Sequence, residues 1–233
     1  MVNAAVECCG SIVDKELVMN RHIGWIGIIV VAFGVVGCAS TPVERKDATS
    51  SSLVDLRDSM MATRGQIEKT LTSLNGLTSA SPDRLRAAYQ QYAKDTDKIA
   101  QQAVTVDKES RQMRSRSQEW LAGWQKSHAD VQNPELRALS EGRRAQALER
   151  IQNIDRSLAE ARESFAPFVA NLQDVKRVVG NDLTPTGVAA VSDAAVVQNA
   201  NRSGAATARA LDITIADLQV LTQTLTPSPA SSR

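Results

Sequence analysis

The sequence predicts an all-α fold, an elongated antiparallel helical bundle with a three- or four-helix base and a long projecting coiled-coil hairpin. Three observations carry this expectation. Apolar residues recur at alternating spacings of three and four over many turns in two long segments, which is the pattern of coiled-coil packing. The pairs Ser81-Pro82, Asn133-Pro134 and Thr184-Pro185 stand at segment starts. Each reads as an N-cap with proline at the first helical position, where the missing N–H costs nothing. Finally, eight aromatic residues, 12 Gly and three Cys in 233 residues are little material for a β or α/β core or a disulfide framework. A narrow coil needs few large side chains.

The first element is an address. Ile23 to Gly37 is an uncharged apolar run of 15 residues, shorter than the roughly 20 needed to cross a bilayer as a helix. With Arg21 upstream it reads as the apolar core of a secretory signal. Residues 1–18 carry Glu7, Asp14 and Glu16, so Met19 is the expected initiator and the preceding residues an overrun. Val35-Val36-Gly37-Cys38 resembles a bacterial lipobox, with signal-peptidase cleavage between Gly37 and Cys38 and a lipid on Cys38. Cys8 and Cys9 leave with residues 1–37, and Cys38 becomes an attachment point rather than a redox group. Ala39 after the cysteine implies sorting to the outer membrane, facing the periplasm. Residues 38–52, rich in Ser, Thr and charge, are expected to form a flexible tether.

Residues 53–225 form the helical domain, and 226–233 are expected to be a disordered tail. Proline and glycine divide the domain into helices of about 50–76, 82–128, 134–180 and 185–225. In the second, Leu85, Tyr92, Ile99, Val106, Met113 and Trp120 repeat every seven residues, interleaved by Tyr89, Thr96, Ala103, Ser110, Ser117 and Trp124. In the third, Ile151, Leu158, Phe165, Leu172 and Val179 alternate with Ile154, Ala161, Phe168 and Val175. Pairing Leu85 with Val179, Tyr92 with Leu172 and Met113 with Ile151 centres the turn on residue 132, beside the Asn133-Pro134 cap. In that register Thr96 faces Phe168, Ser110 faces Ile154 and Trp124 faces Ser140. Leu53, Leu56, Met60, Ile67, Leu71 and Leu74 make the seam of the first helix; Val188, Val191, Leu211, Ile215, Leu218 and Leu225 make that of the fourth. Short connections make chain neighbours antiparallel. Pro167, inside the third helix, is expected to kink it.

Motifs for catalysis do not occur: there is no HExxH, GxSxG, Walker loop or GxGxxG. The expectation is therefore no enzyme, no cofactor and no metal. With 27 basic and 26 acidic residues the formal charge is +1, which gives no electrostatic footprint for nucleic acid. His128 reads as an exposed histidine at the hairpin tip. The tip holds the most suggestive surface, Trp120, Trp124, Arg137, Arg143 and Arg144. The tryptophans either close the end of the coil or form a binding patch, since Trp and Arg are typical hot-spot residues.

The lipobox, the Trp near the end of a long helix, Asn133-Pro134 with Leu136-Arg137 and Ser140, and Pro167 with Asp174-Val175 together resemble a family of Gram-negative lipoproteins. That family is a domain of unknown function with coiled-coil character. The resemblance implies the helical architecture and an envelope location, and carries no site. The expected role is that of a lipid-anchored envelope spacer, scaffold or adaptor. Its partners would be the membrane, through the lipid on Cys38, and either a protein or a second copy of the chain. The alternatives are a module binding envelope polymer or lipid at the Arg/Trp tip, and a structural homo-oligomer.

Overall fold

A computed structural model describes residues 41–225. The signal, Cys38 and the last eight residues lie outside the described part. Within it the chain forms α1 (Pro42–Thr78), α2 (Leu85–Ala129), α3 (Pro134–Asn181), α4 (Pro185–Ser192) and α5 (Ala195–Leu225). The all-α antiparallel bundle is as expected. The four long helices form a ring in which α1 packs on α2, α2 on α3, α3 on α5 and α5 on α1.

Side-chain pairs give the register of each contact. The Tyr92 hydroxyl donates to the Leu172 carbonyl at 2.6 Å, and Trp124 Nε1 donates to Ser140 Oγ at 2.9 Å. Both are pairs that the sequence register places face to face. Burial pushes the Tyr92 hydroxyl well above its ordinary pKa, so it remains a proton donor to that carbonyl. Arg114 with Asp155 and Arg162 with Asp107 flank the same seam. Between α1 and α5, Arg64 meets Asp212 and Asn201 meets Asn75, which makes these two helices antiparallel as well. All four neighbours therefore alternate up and down.

The flanking helices reach further along the hairpin than expected. Residues 42–52, read as tether, are the first three turns of α1. Thr41 and Glu44 form a reciprocal capping box, with Pro42 at the first helical position. Thr49 then donates both to the Arg45 carbonyl in its own helix and to the Arg116 carbonyl of α2. The hairpin is thus flanked by α1 up to the tryptophans, and it does not project bare from a short base. Polar composition misled because a third of the α1 seam is threonine. Thr49, Leu53, Leu56, Met60, Thr63, Ile67, Thr70, Leu74 and Leu77 are all buried at alternating three- and four-residue spacing. Val197, Ala200, Gly204, Thr207, Leu211, Thr214, Leu218 and Leu221 do the same on α5.

Buried threonine works in the α1 and α5 seams because each hydroxyl folds back on its own helix. Thr63 donates to Ser59, Thr70 to Gln66, Thr207 to Ser203 and Thr214 to Ala210, all carbonyls one turn earlier. The methyl groups are left to pack between helices. For Thr63 and Thr214 the hydroxyl has no partner on another helix among the described residues. Thr63→Val and Thr214→Val should therefore be neutral or stabilising, by about 0–1 kcal/mol, read as an unchanged or raised urea midpoint. A loss above that range would show that these hydroxyls do more than satisfy themselves.

Smaller corrections have local causes. Helix α2 starts at Leu85 rather than residue 82, because Ser81 to Arg84 close a turn through Arg84 N–H to the Ser81 carbonyl. Helix α1 runs through Asn75-Gly76, and the Asn75 carbonyl accepts from the Ser79 N–H past the helix end. The fourth helix is divided at Asp193-Ala194 into α4 and α5. The other caps are as expected: Asn133 Oδ1 accepts from the Glu135 and Leu136 N–H groups, and Thr184 Oγ1 from that of Gly187.

Polar groups inside the bundle are used for packing. Asp95 is buried between α1 and α2, where it accepts from Gln66 Nε2 at 3.1 Å and Gln91 Nε2 at 2.9 Å. Tyr89 lies across α3 and donates to the Lys176 carbonyl; a Cβ on Gly180 would overlap its hydroxyl. Such contacts fix which helix meets which and at what height.

Candidate functional site

The end of the bundle that carries the α2–α3 turn is the candidate site. Three elements build it. Helix α2 contributes Trp120, which is buried, and Trp124, which is partly buried. Their rings lie 5.3 Å apart and are tilted at 43°, a favourable aromatic geometry. The hydrogen bond from Trp124 to Ser140 pins the second indole against α3. The start of α1 brings Pro42, Val43 and Lys46 alongside. Because α5 pairs Thr207 with Ser164 and Gly204 with Phe168, its last described residue, Leu225, lies level with Gln146 and Ala147. Beyond that level, among the described residues, α3 has no α5 opposite it.

The result is an open groove of about 660 Å³, within the size range of small-molecule pockets, ~300–1,000 Å³. Its apolar lining includes Trp120, Trp124, Val43, Leu139 and Leu225. Val43 and Leu139 are 62% and 61% exposed, unusual for large apolar side chains lining a common hollow. Lys46, Arg143 and Arg150 are the charged residues that line it, and no described carboxylate does. Lys46 has Asp47 beside it at 3.3 Å. Arg143 and Arg150 make no ion pair among the described residues.

The five tip residues expected from the sequence divide into two groups. Trp120, Trp124 and Arg143 come together in the groove. Arg137 and Arg144 do not. Arg137 donates through Nε and a terminal nitrogen to the Val131 carbonyl, closing the turn. Arg144 is held by Glu141 at 2.8 Å. That hydrogen bond holds the Glu141 carboxyl below its ordinary pKa; burial opposes the shift, and the charges of Arg144 and His128 add to it. His128 was expected in the open. It sits in the last turn of α2, with a side chain only 13% exposed and Nε2 3.7 Å from Glu141.

Sequence reading missed Pro42, Val43, Lys46, Arg150 and Leu225 as neighbours of the tryptophans. Thr41-Pro42-Val43-Glu44 held the missing signal, since a threonine followed three residues later by glutamate marks a helix start. Lipidation and cleavage at Gly37 and Cys38 fall outside the described residues. Among the described residues no group of His, Cys, Asp or Glu could hold a metal ion, and no helix is long and apolar enough to cross a membrane.

The fold and this end-groove define a protein of the all-α, up-and-down four-helix class. Residues 39–218 match the family described as "protein of unknown function (DUF2959)", and the chain belongs to that family. No curated protein and no solved structure matches it.

Proposed function

We propose that the chain is a non-enzymatic, lipid-anchored protein of the cell envelope. A lipid on Cys38 would hold it at the periplasmic face of the outer membrane, where it serves as a helical adaptor for a protein partner. The observation that carries the reading is the distance along the chain between anchor and bundle. The Thr41 cap follows Cys38 by only three residues, a reach of at most ~10 Å when fully extended. With so short a lead, a lipid on Cys38 would keep the α1 start and its groove near the bilayer surface. The opposite end, with the loops at 79–84 and 182–184, would then be presented to a partner. In this orientation the hairpin tip lies on the membrane side of the bundle.

Two outcomes test the reading. Cys38→Ser should abolish incorporation of a fatty-acid analogue in growing cells and move the protein out of the membrane fraction. Continued labelling of the Cys38→Ser chain would refute the anchor. A photo-crosslinker placed in the 79–84 loop should then capture a protein partner in cells, and a captured second copy would favour the homo-oligomer instead.

A further inference from the structure

The groove at the α2–α3 end has a two-part chemistry that the adaptor role leaves unused. Its apolar lining includes Trp120, Trp124, Val43, Leu139 and Leu225. Its charged lining is of one sign, from Lys46, Arg143 and Arg150, and the two arginines are exposed with no ion-pair partner among the described residues. A protein segment would have to supply both an apolar stretch and a carboxylate at a fixed spacing. A membrane lipid with an anionic headgroup carries an apolar chain and a negative charge in one molecule.

We infer that this groove binds a membrane lipid with an anionic headgroup. Its acyl chain lies along Trp120 and Trp124, and its phosphate meets Arg143, Arg150 and Lys46. Tryptophan belongs to the membrane interface because its ring is apolar and its N–H polar. Basic side chains at that level are drawn to anionic headgroups. The inference rests in one respect on the reading above: an anchor on Cys38 would bring the groove to the surface from which a lipid could enter. The groove chemistry itself does not depend on the anchor.

The test uses the full chain with Trp25→Phe, so that only Trp120 and Trp124 emit. The probe is lyso-phosphatidylglycerol with a brominated acyl chain, added below its micelle concentration, because bromine quenches indole fluorescence on contact. Saturable quenching is expected, with the zwitterionic lyso-phosphatidylcholine of the same chain binding at least tenfold more weakly. Arg143→Glu with Arg150→Glu should weaken the anionic probe at least tenfold, while Arg143→Lys with Arg150→Lys should restore most of the binding. Both positions are exposed, so unchanged circular dichroism is expected to show an intact bundle. Absence of quenching would overturn the inference and leave the groove to a second copy or a protein. Equal quenching by the two headgroups, or by wild-type and charge-reversed chains, would overturn the role of the arginines and with it the inference. Because the probe is monomeric, failure of Cys38 labelling and failure of quenching are separate results.

Discussion

Phe168→Ala should destabilise the bundle by about 3–5 kcal/mol, the range for removing a fully buried aromatic side chain. Phe168 is wholly buried on α3, at the point where three helices meet. Its ring packs beside that of Phe165 with centroids 6.3 Å apart. On the other side it fills the notch that Gly204 leaves in α5, where a Cβ would come within 2.8 Å of the ring and 3.1 Å of Leu71 on α1. Removing the ring leaves a cavity bounded by backbone that cannot collapse into it without moving α5. Phe165→Ala, at a partly buried position, should cost clearly less. The check is a pair of urea unfolding curves. A Phe168→Ala cost below about 1.5 kcal/mol, well under the range for such truncations, would mean that α5 does not pack as described.

The second large effect concerns the start of α1. Ser51 is exposed in the third turn of that helix, so a substitution there disturbs no packing. Ser51→Pro removes one helical N–H and drives the proline ring against the carbonyl of Asp47, at a cost of ~3 kcal/mol or more. We expect either that loss of stability or unwinding of the turns before it, with loss of the Thr49 to Arg116 contact that ties α1 to α2. Ser51→Ala should be harmless, since alanine favours a helix. In a flexible tether both changes would be silent. Urea unfolding and hydrogen exchange over residues 42–50 distinguish the two cases.

How much of this was legible follows from which residues carried the pattern. The hairpin was readable because Leu, Ile, Met and aromatic side chains mark its seam, and because Asn133-Pro134 gave an independent position for the turn. The Tyr92–Leu172 and Trp124–Ser140 hydrogen bonds fall in that register. The flanking helices were half readable. Leu53 to Leu74 stood out, whereas Thr49, Thr63 and Thr70 did not, because apolar periodicity is blind to a threonine that buries its methyl and satisfies its own hydroxyl. Likewise Gly204 and Thr207 are seam residues on α5 only because small residues are what Phe168 and Ser164 leave room for. The site was read from one side. Trp120, Trp124 and Arg143 were visible on the hairpin, but their partners from α1 and α5 depend on how far those helices run, which composition obscured.

The groove exists only if the α1 start lies beside the α2–α3 turn. A distance measurement between spin labels on Val43→Cys and Leu139→Cys, with Cys8, Cys9 and Cys38 replaced by Ser, reads this directly. Both positions are exposed and line the groove, one from α1 and the other from α3. A single narrow distribution is expected at no more than about two interhelical spacings, ~20 Å. A broad distribution, or one centred tens of ångströms further out along the helix axes, would show that α1 does not reach the tryptophans and that the groove does not exist.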